Sequence, residues 1–131
     1  HLDAYRVVNH VDGYQVNVVE KVTQSEANQK LFFLNLGGYQ NNVFEEIHYK
    51  MLMVAPDKAT ATASAKSTPF FKQYFSPHID DKYGVDVDDV FDIEEVLPSA
   101  MKQKYTIQFT KVETSFPDDE IILGYMPVDK L

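Results

Sequence analysis

The stretch that decides the fold is LFFLNLGG, residues 31–38. The run from Leu31 to Leu36 is apolar except for Asn35, and a short apolar run of this kind is typical of a buried strand. The Gly37-Gly38 pair that follows is a turn signal, so we expect the strand to end there. The run is also far shorter than the roughly 18–20 residues that a membrane helix requires.

Apolar and polar residues alternate on both sides of this stretch. Residues 104–112 and 14–18 show the period of two that a half-buried strand requires, and further strands are expected at 51–54, 83–87 and 120–125. An alanine-rich helix is expected over 59–65, after Pro56-Asp57 and before Thr68-Pro69. We therefore predict an α+β fold, with a mixed or mostly antiparallel sheet of about six strands and one main helix packed on one face.

Composition limits the class of protein. The chain has 131 residues, 44% of them hydrophobic, which is enough for one domain with a real core. It has no cysteine, so disulfides, thiolate zinc sites and cysteine nucleophiles are excluded. We expect a cytoplasmic protein. The repeat pattern described below predicts that the native N-terminus is missing, so a removed signal is compatible with the sequence.

The acidic charge is local. Of the net charge of −8, the segment from Asp80 to Glu95 supplies −7, with eight acidic residues against Lys82. Binding to a phosphate backbone or to an anionic membrane requires clustered cations. We therefore expect neither nucleic acid nor membrane as a partner.

A short repeat indicates a duplicated unit. His1-Leu2-Asp3 resembles His78-Ile79-Asp80, and the apolar residues that follow each triplet keep a similar order. The expected organisation is the tail of a first copy in residues 1–20 and a complete second copy with C-terminal strands in residues 30–131, packed as a single compact domain. A polar linker, 23–29, joins them.

Four motifs carry a resemblance to a known family. Leu36-Gly37-Gly38, Glu46-Ile47-His48, the alanine-rich helix and Pro77-His78-Ile79-Asp80 are similar to the pattern of an uncharacterised bacterial family, domain of unknown function 1543 (DUF1543). Ile47 stands where leucine is usual. The resemblance implies one or two copies of the unit per chain, in agreement with the repeat, and implies no activity.

One cluster of side chains could bind a metal. On a helix, Glu45 and His48 would share a face at spacing i, i+3; on a strand, Glu46 and His48 would share a face at i, i+2. With His78 and Asp80, two imidazoles and two carboxylates could then converge on a divalent metal. The alternative, which we favour, is a histidine that orients the loop after Gly38 by hydrogen bonding, with no metal or other cofactor.

Three other patterns favour structural roles, and a fourth favours a structural role or self-association. Gly37-Gly38 has no nearby cation and no third glycine, so a turn is expected rather than a phosphate site. Glycine is missing from the sixth position of a calcium loop starting at Asp86, so the acidic segment is interpreted as the solvated side of an edge element. Asp92 and Glu95 have capping-box spacing. The aromatic residues at 70, 71, 74 and 75 suit either core cover or a self-association surface.

These observations favour a non-catalytic binding or self-association module. The expected partners are a second copy of the chain, in a homodimer, and a small-molecule ligand that the sequence does not identify. The alternative is a metal-dependent hydrolase or a His/carboxylate acid–base enzyme. In that case His48 and His78 would be ligands or bases, and Glu45, Glu46 and Asp80 would be ligands or orienting groups.

Overall fold

The computed structural model describes residues 1–22, 28–39, 42–69 and 87–130. Within these ranges the chain forms eight strands and two α-helices. Their bounds are β1 (Leu2–Arg6), β2 (His10–Val11), β3 (Tyr14–Glu20), β4 (Lys30–Tyr39), β5 (Glu46–Ala55), α1 (Lys58–Ala65), β6 (Val87–Asp92), α2 (Ser99–Lys104), β7 (Tyr105–Lys111) and β8 (Ile121–Met126), followed by a 3₁₀ turn (Val128–Lys130). The α+β prediction is confirmed, with antiparallel pairing throughout the described strands and eight strands rather than about six.

Strand β4 is the centre of the fold. It pairs with β5 on one side and with β6 on the other, both antiparallel, so that Phe32 faces Met53 across one pair and Asp92 across the other. Leu31 and Phe32, whose side chains point to opposite faces of the sheet, are both buried. The continuous apolar run of β4 is therefore explained by cover on both faces.

The first face of this sheet is covered by α1. Phe32, Leu34 and Leu36 form one cluster with Ala61 and Ala65 of the helix. The helix begins after Asp57, whose side chain accepts a hydrogen bond from the Thr60 backbone N–H at 2.7 Å, as an N-cap residue does. The predicted helix on one face of the sheet is confirmed.

The second face is covered by another sheet, in which β3 lies between β2 and β7. Leu31 packs there against Val11 and Ile107, with Val16 and Leu52 at the margin. The described core therefore has a helix, a sheet and a second sheet in three layers.

Strands β3 and β7 form an antiparallel pair. Tyr14 opens β3 opposite Lys111, Tyr105 opens β7 opposite Glu20, and the central pair is Asn17 with Gln108. Read from its tyrosine, each strand gives YQVNVVE or YTIQFTK, and the two share only that tyrosine position by position. The pairing therefore does not test the duplication, which stays a prediction, and its second triplet, 78–80, lies outside the described residues.

Two local expectations are wrong. Gly37 and Gly38 do not form a turn: they lie inside β4, buried, opposite His48 and Ile47. The Asp92 side chain does not cap an α-helix: its Oδ1 accepts from the Glu94 N–H at 3.0 Å, and residues 93–96 form a turn. The aromatic cluster at 70–75 and the first part of the strand expected at 83–87 lie outside the described residues.

Candidate functional site

The strand alternative for the Glu45–His48 cluster is the one adopted. Because β5 begins at Glu46, the side chains of Glu46 and His48 share a face, and the distance from Glu46 Oε2 to His48 Nε2 is 3.9 Å. Glu45 precedes the strand and is exposed. The helical spacing of Glu45 and His48 therefore does not apply.

The convergence of this pair with His78 and Asp80 stays a prediction, because those two residues lie outside the described ranges. Within residues 1–22, 28–39, 42–69 and 87–130, no three or more His, Asp or Glu side chains are grouped so that they could hold a metal ion. Glu46 and His48 are each more than a third exposed, as is common for a surface ion pair.

The His1–Asp3 segment forms a second exposed pair, on β1. His1 Nε2 lies 2.9 Å from Asp3 Oδ1, and the imidazole stacks on the ring of Tyr125 with 4.3 Å between centroids. These contacts join the start of β1 to β8. The segment that resembles it, His78 to Asp80, is not described.

An ion pair between a half-exposed lysine and a buried aspartate, which the sequence analysis did not identify, lies at the start of β4. Lys30 Nζ donates to Asp92 Oδ2 at 2.7 Å, and Asp92 is 8% exposed. The hydrogen bond and the charge of Asp92 raise the pKa of Lys30 above its ordinary value of 10.5. Nearby, the Glu94 carboxylate accepts from the Thr106 hydroxyl at 2.6 Å and from the Ile107 N–H. These contacts hold the turn after β6 against β7.

Two clefts flank this ion pair. The smaller, about 330 Å³, is lined by Lys21, Lys30, Lys102, Glu94 and Glu95 among others, and the larger, about 640 Å³, also contains Lys30 and Asp92. Lys30 is paired with Asp92, and Lys102 Nζ donates to the backbone carbonyl of Glu95 at 2.9 Å. Two of the three lysines of the smaller cleft, Lys30 and Lys102, thus already have acceptors, which favours a structural role for this pair.

Asp119 forms a second junction that the sequence analysis missed. Its carboxylate accepts from the Asn9 backbone N–H at 2.7 Å, from Asn9 Nδ2 at 3.0 Å and from the His10 N–H at 3.0 Å. The imidazole of His10 also stacks on Phe116, with 4.2 Å between centroids. The segment that leads into β8 is thereby held against the segment that follows β1.

Beside the Asp119 contacts, β1 and β8 form a ribbon with exposed apolar side chains. These strands pair antiparallel as a two-stranded sheet, with Ala4 opposite Leu123 and Arg6 opposite Ile121. On β8, Ile121, Leu123 and Tyr125 are 57%, 76% and 73% exposed. A register shift between Leu123 and Met126 places Tyr125 on the opposite face from Ile121 and Leu123, where its ring stacks on His1. No sequence motif marks these exposed side chains, although the sequence predicted a strand at 120–125 between Pro117 and Pro127.

The described structure contains no helix long and apolar enough to cross a membrane. Comparison of the chain with protein-family models, with curated proteins and with solved structures gives no significant match. The resemblance to the family of unknown function therefore stays a prediction that rests on the four motifs alone.

Proposed function

We propose that the chain is a non-catalytic self-association module that binds a second copy of itself through the β1–β8 ribbon. The observation that carries the proposal is the exposure of three large apolar side chains on β8, each more than half exposed: Ile121 and Leu123 on one face of the ribbon and Tyr125 on the other. Exposed apolar side chains that adjoin one another mark interaction sites more often than single ones do.

The stability of the ribbon supports the same proposal. A two-stranded sheet alone is at best marginally stable in water. In this chain it is held by the Asp119 hydrogen bonds to Asn9 and His10 and by the stacking of His1 on Tyr125. Cover on its apolar face would add the burial that the ribbon lacks, at roughly 25 cal/mol per Å².

Charge favours this surface over the rest of the molecule. A chain of net charge −8 repels its own copies, and the repulsion is greatest where acidic side chains are dense. Between Ile121 and Met126, β8 carries no charged residue. Contact along the strand itself therefore buries no charged side chain of β8.

Sedimentation velocity across about 5 to 500 µM tests the proposal, because a small apolar interface gives a dissociation constant on the order of micromolar. The weight-average mass of the wild type should rise with concentration. Leu123→Lys should weaken association at least about tenfold, since burial of a charge is costly.

Gln108→Lys is the matched control, because it changes the net charge equally at an exposed position of β7. It should associate as the wild type does. A wild type that stays monomeric across the whole range, or equal weakening by both variants, would contradict the proposal.

A further inference from the structure

We propose that the two copies pack one face of the β1–β8 ribbon against the same face of the second copy, about a two-fold axis that runs along the strands. This inference rests on the proposed function and specifies its geometry. Alternate residues of a strand, and residues directly opposite them on its partner, share a face. The face in question, called the apolar face, consists of Leu2, Ala4 and Arg6 of β1 and Ile121, Leu123 and Met126 of β8.

Strand β8 contains a β-bulge that makes pairing along its edge unfavourable. Between Leu123 and Met126 the strand advances by three residues while β1 advances by two. Gly124 lies within this bulge, and its φ of +139° is in the region that favours glycine. Because bulges hinder the pairing of an edge strand with another chain, we expect the second copy on a face of the ribbon rather than along its edge.

The two faces of the ribbon differ in polarity. On the apolar face Arg6 is the only charged member, and it lies at one end. The opposite face carries the contact between His1 and Asp3, and the ring of Tyr125 stacks on His1 there. Three apolar members of the apolar face are each more than a third exposed: Leu2, Ile121 and Leu123. Cover on this face therefore removes hydrocarbon from water without separating an ion pair.

Side-chain size selects the direction of the two-fold axis. Sheets that pack face to face keep their strands roughly aligned, so the axis runs either along the strands or across them. Ala4 and Leu123 lie side by side in the middle of the apolar face. An axis along the strands places Leu123 of each copy over Ala4 of the other, a large side chain over a small one. An axis across the strands would place Leu123 over Leu123 and Ala4 over Ala4, which crowds one position and leaves a gap at the other.

Charge selects the same axis. Arg6 lies opposite Ile121, which directly follows the exposed residue Glu120. With the axis along the strands, Arg6 of each copy lies over Ile121 of the other and beside its Glu120, so that opposite charges meet twice. With the axis across the strands, Arg6 would instead lie over Leu2 of the second copy. Two reciprocal contacts between arginine and glutamate therefore belong to the first arrangement alone.

A first experiment tests the face by placing the same charge at two adjacent positions of β1. Ala4→Glu puts a carboxylate in the middle of the apolar face and should weaken association at least about tenfold in sedimentation velocity, since burial of a charge is costly. Tyr5→Glu is the matched control, because Tyr5 lies on the opposite face, across from Ile122. It should associate as the wild type does, and retention of the wild-type melting temperature shows that each variant is folded.

A second experiment tests the axis by charge reversal. Arg6→Glu alone and Glu120→Arg alone each place like charges in both expected contacts, so each variant should associate with itself more weakly than the wild type does. An equal mixture of the two should form a heterodimer about three- to tenfold more tightly than either variant forms a homodimer, because both contacts then join opposite charges. Repulsion between net charges alone would give the mixture an affinity between those of the two variants.

The outcomes distinguish this inference from the proposed function. If the wild type associates but Ala4→Glu and Tyr5→Glu weaken association equally, or neither weakens it, the face is wrong while the proposed function stands. If the mixture of Arg6→Glu and Glu120→Arg associates no more tightly than the tighter of the two variants, the axis is wrong. If the wild type stays monomeric, both proposals fail.

Discussion

At the residue scale, single carboxylates far apart in sequence hold the described elements together. Asp92 binds Lys30 across 62 positions, and Asp119 binds Asn9 across 110. Each accepts at least two hydrogen bonds, so its burial is compensated rather than costly. The positions of β6 and β8 relative to the rest of the chain depend on these two side chains.

Replacement of Asp119 should loosen the ribbon. Burial alone would raise the pKa of Asp119, but hydrogen bonds from the Asn9 side chain and from the Asn9 and His10 backbone outweigh it and hold the pKa below 3.8. Asp119→Ala should therefore lower the free energy of unfolding by about 1–2 kcal/mol at neutral pH.

The sign of the pH dependence follows from the lowered pKa. The stabilisation by Asp119 is present above pH 3.8 and is lost as the pH falls through the folded-state pKa. Urea unfolding of the wild type and of Asp119→Ala should therefore differ at neutral pH and converge in acid. Asp118→Ala, which removes the same charge at an exposed position, should show neither effect; a pH-independent difference for Asp119→Ala would contradict this account.

Sequence reasoning reached part of the candidate site at this scale. The spacing of Glu46 and His48 predicted a shared face on a strand, because side-chain direction there depends only on local period. The Lys30–Asp92 and Asp119–Asn9 contacts depend on which distant segments meet. Local spacing carries no information on that, so neither contact could be predicted.

At the element scale, β4 shows why one boundary was mispredicted. Its apolar run predicts a buried strand, and the structure has one. The local turn preference of Gly37-Gly38 predicts that the strand ends there, and this is wrong. In the structure both glycines continue the pairing with β5 and are buried. Tertiary pairing overrides the local preference here, as it commonly does in strands.

Strand β1 was not predicted from the sequence at all. All five of its residues are exposed, so no apolar alternation marks it, and it forms because β8 pairs with it from the far end of the chain. By contrast, alternation predicted both β3 and β7; it holds through Phe109 in β7 but only through Asn17 in β3, where Val18 is 69% exposed.

The packing of α1 gives a prediction for this scale. Ala61 and Ala65 are fully buried against β4 and leave no room for larger side chains. Ala65→Leu should lower the free energy of unfolding by about 1–3 kcal/mol through overpacking. Ala63→Leu, on the exposed side of the same helix, should change it by less than about 0.5 kcal/mol. Urea unfolding of both variants tests this, and equal stability of the two would contradict the described packing.

At the scale of the whole molecule, the covered sheet of β4, β5 and β6 differs from the exposed ribbon of β1 and β8. The sheet of β4, β5 and β6 has α1 on one face and the second sheet against the other. On the ribbon of β1 and β8, strand β8 instead exposes the uncharged apolar side chains of Ile121, Leu123 and Tyr125. This is the surface through which we propose that two copies associate.

Backbone hydrogen exchange at two protein concentrations, about 5 and about 500 µM, tests this claim most directly, since the range spans the expected micromolar dissociation constant. The account predicts that amides of residues 121–126 exchange more slowly at the higher concentration, that those of β3 and β7 are unchanged, and that Leu123→Lys abolishes the difference. Exchange in β8 that is independent of concentration, or new protection confined to another element, would contradict it.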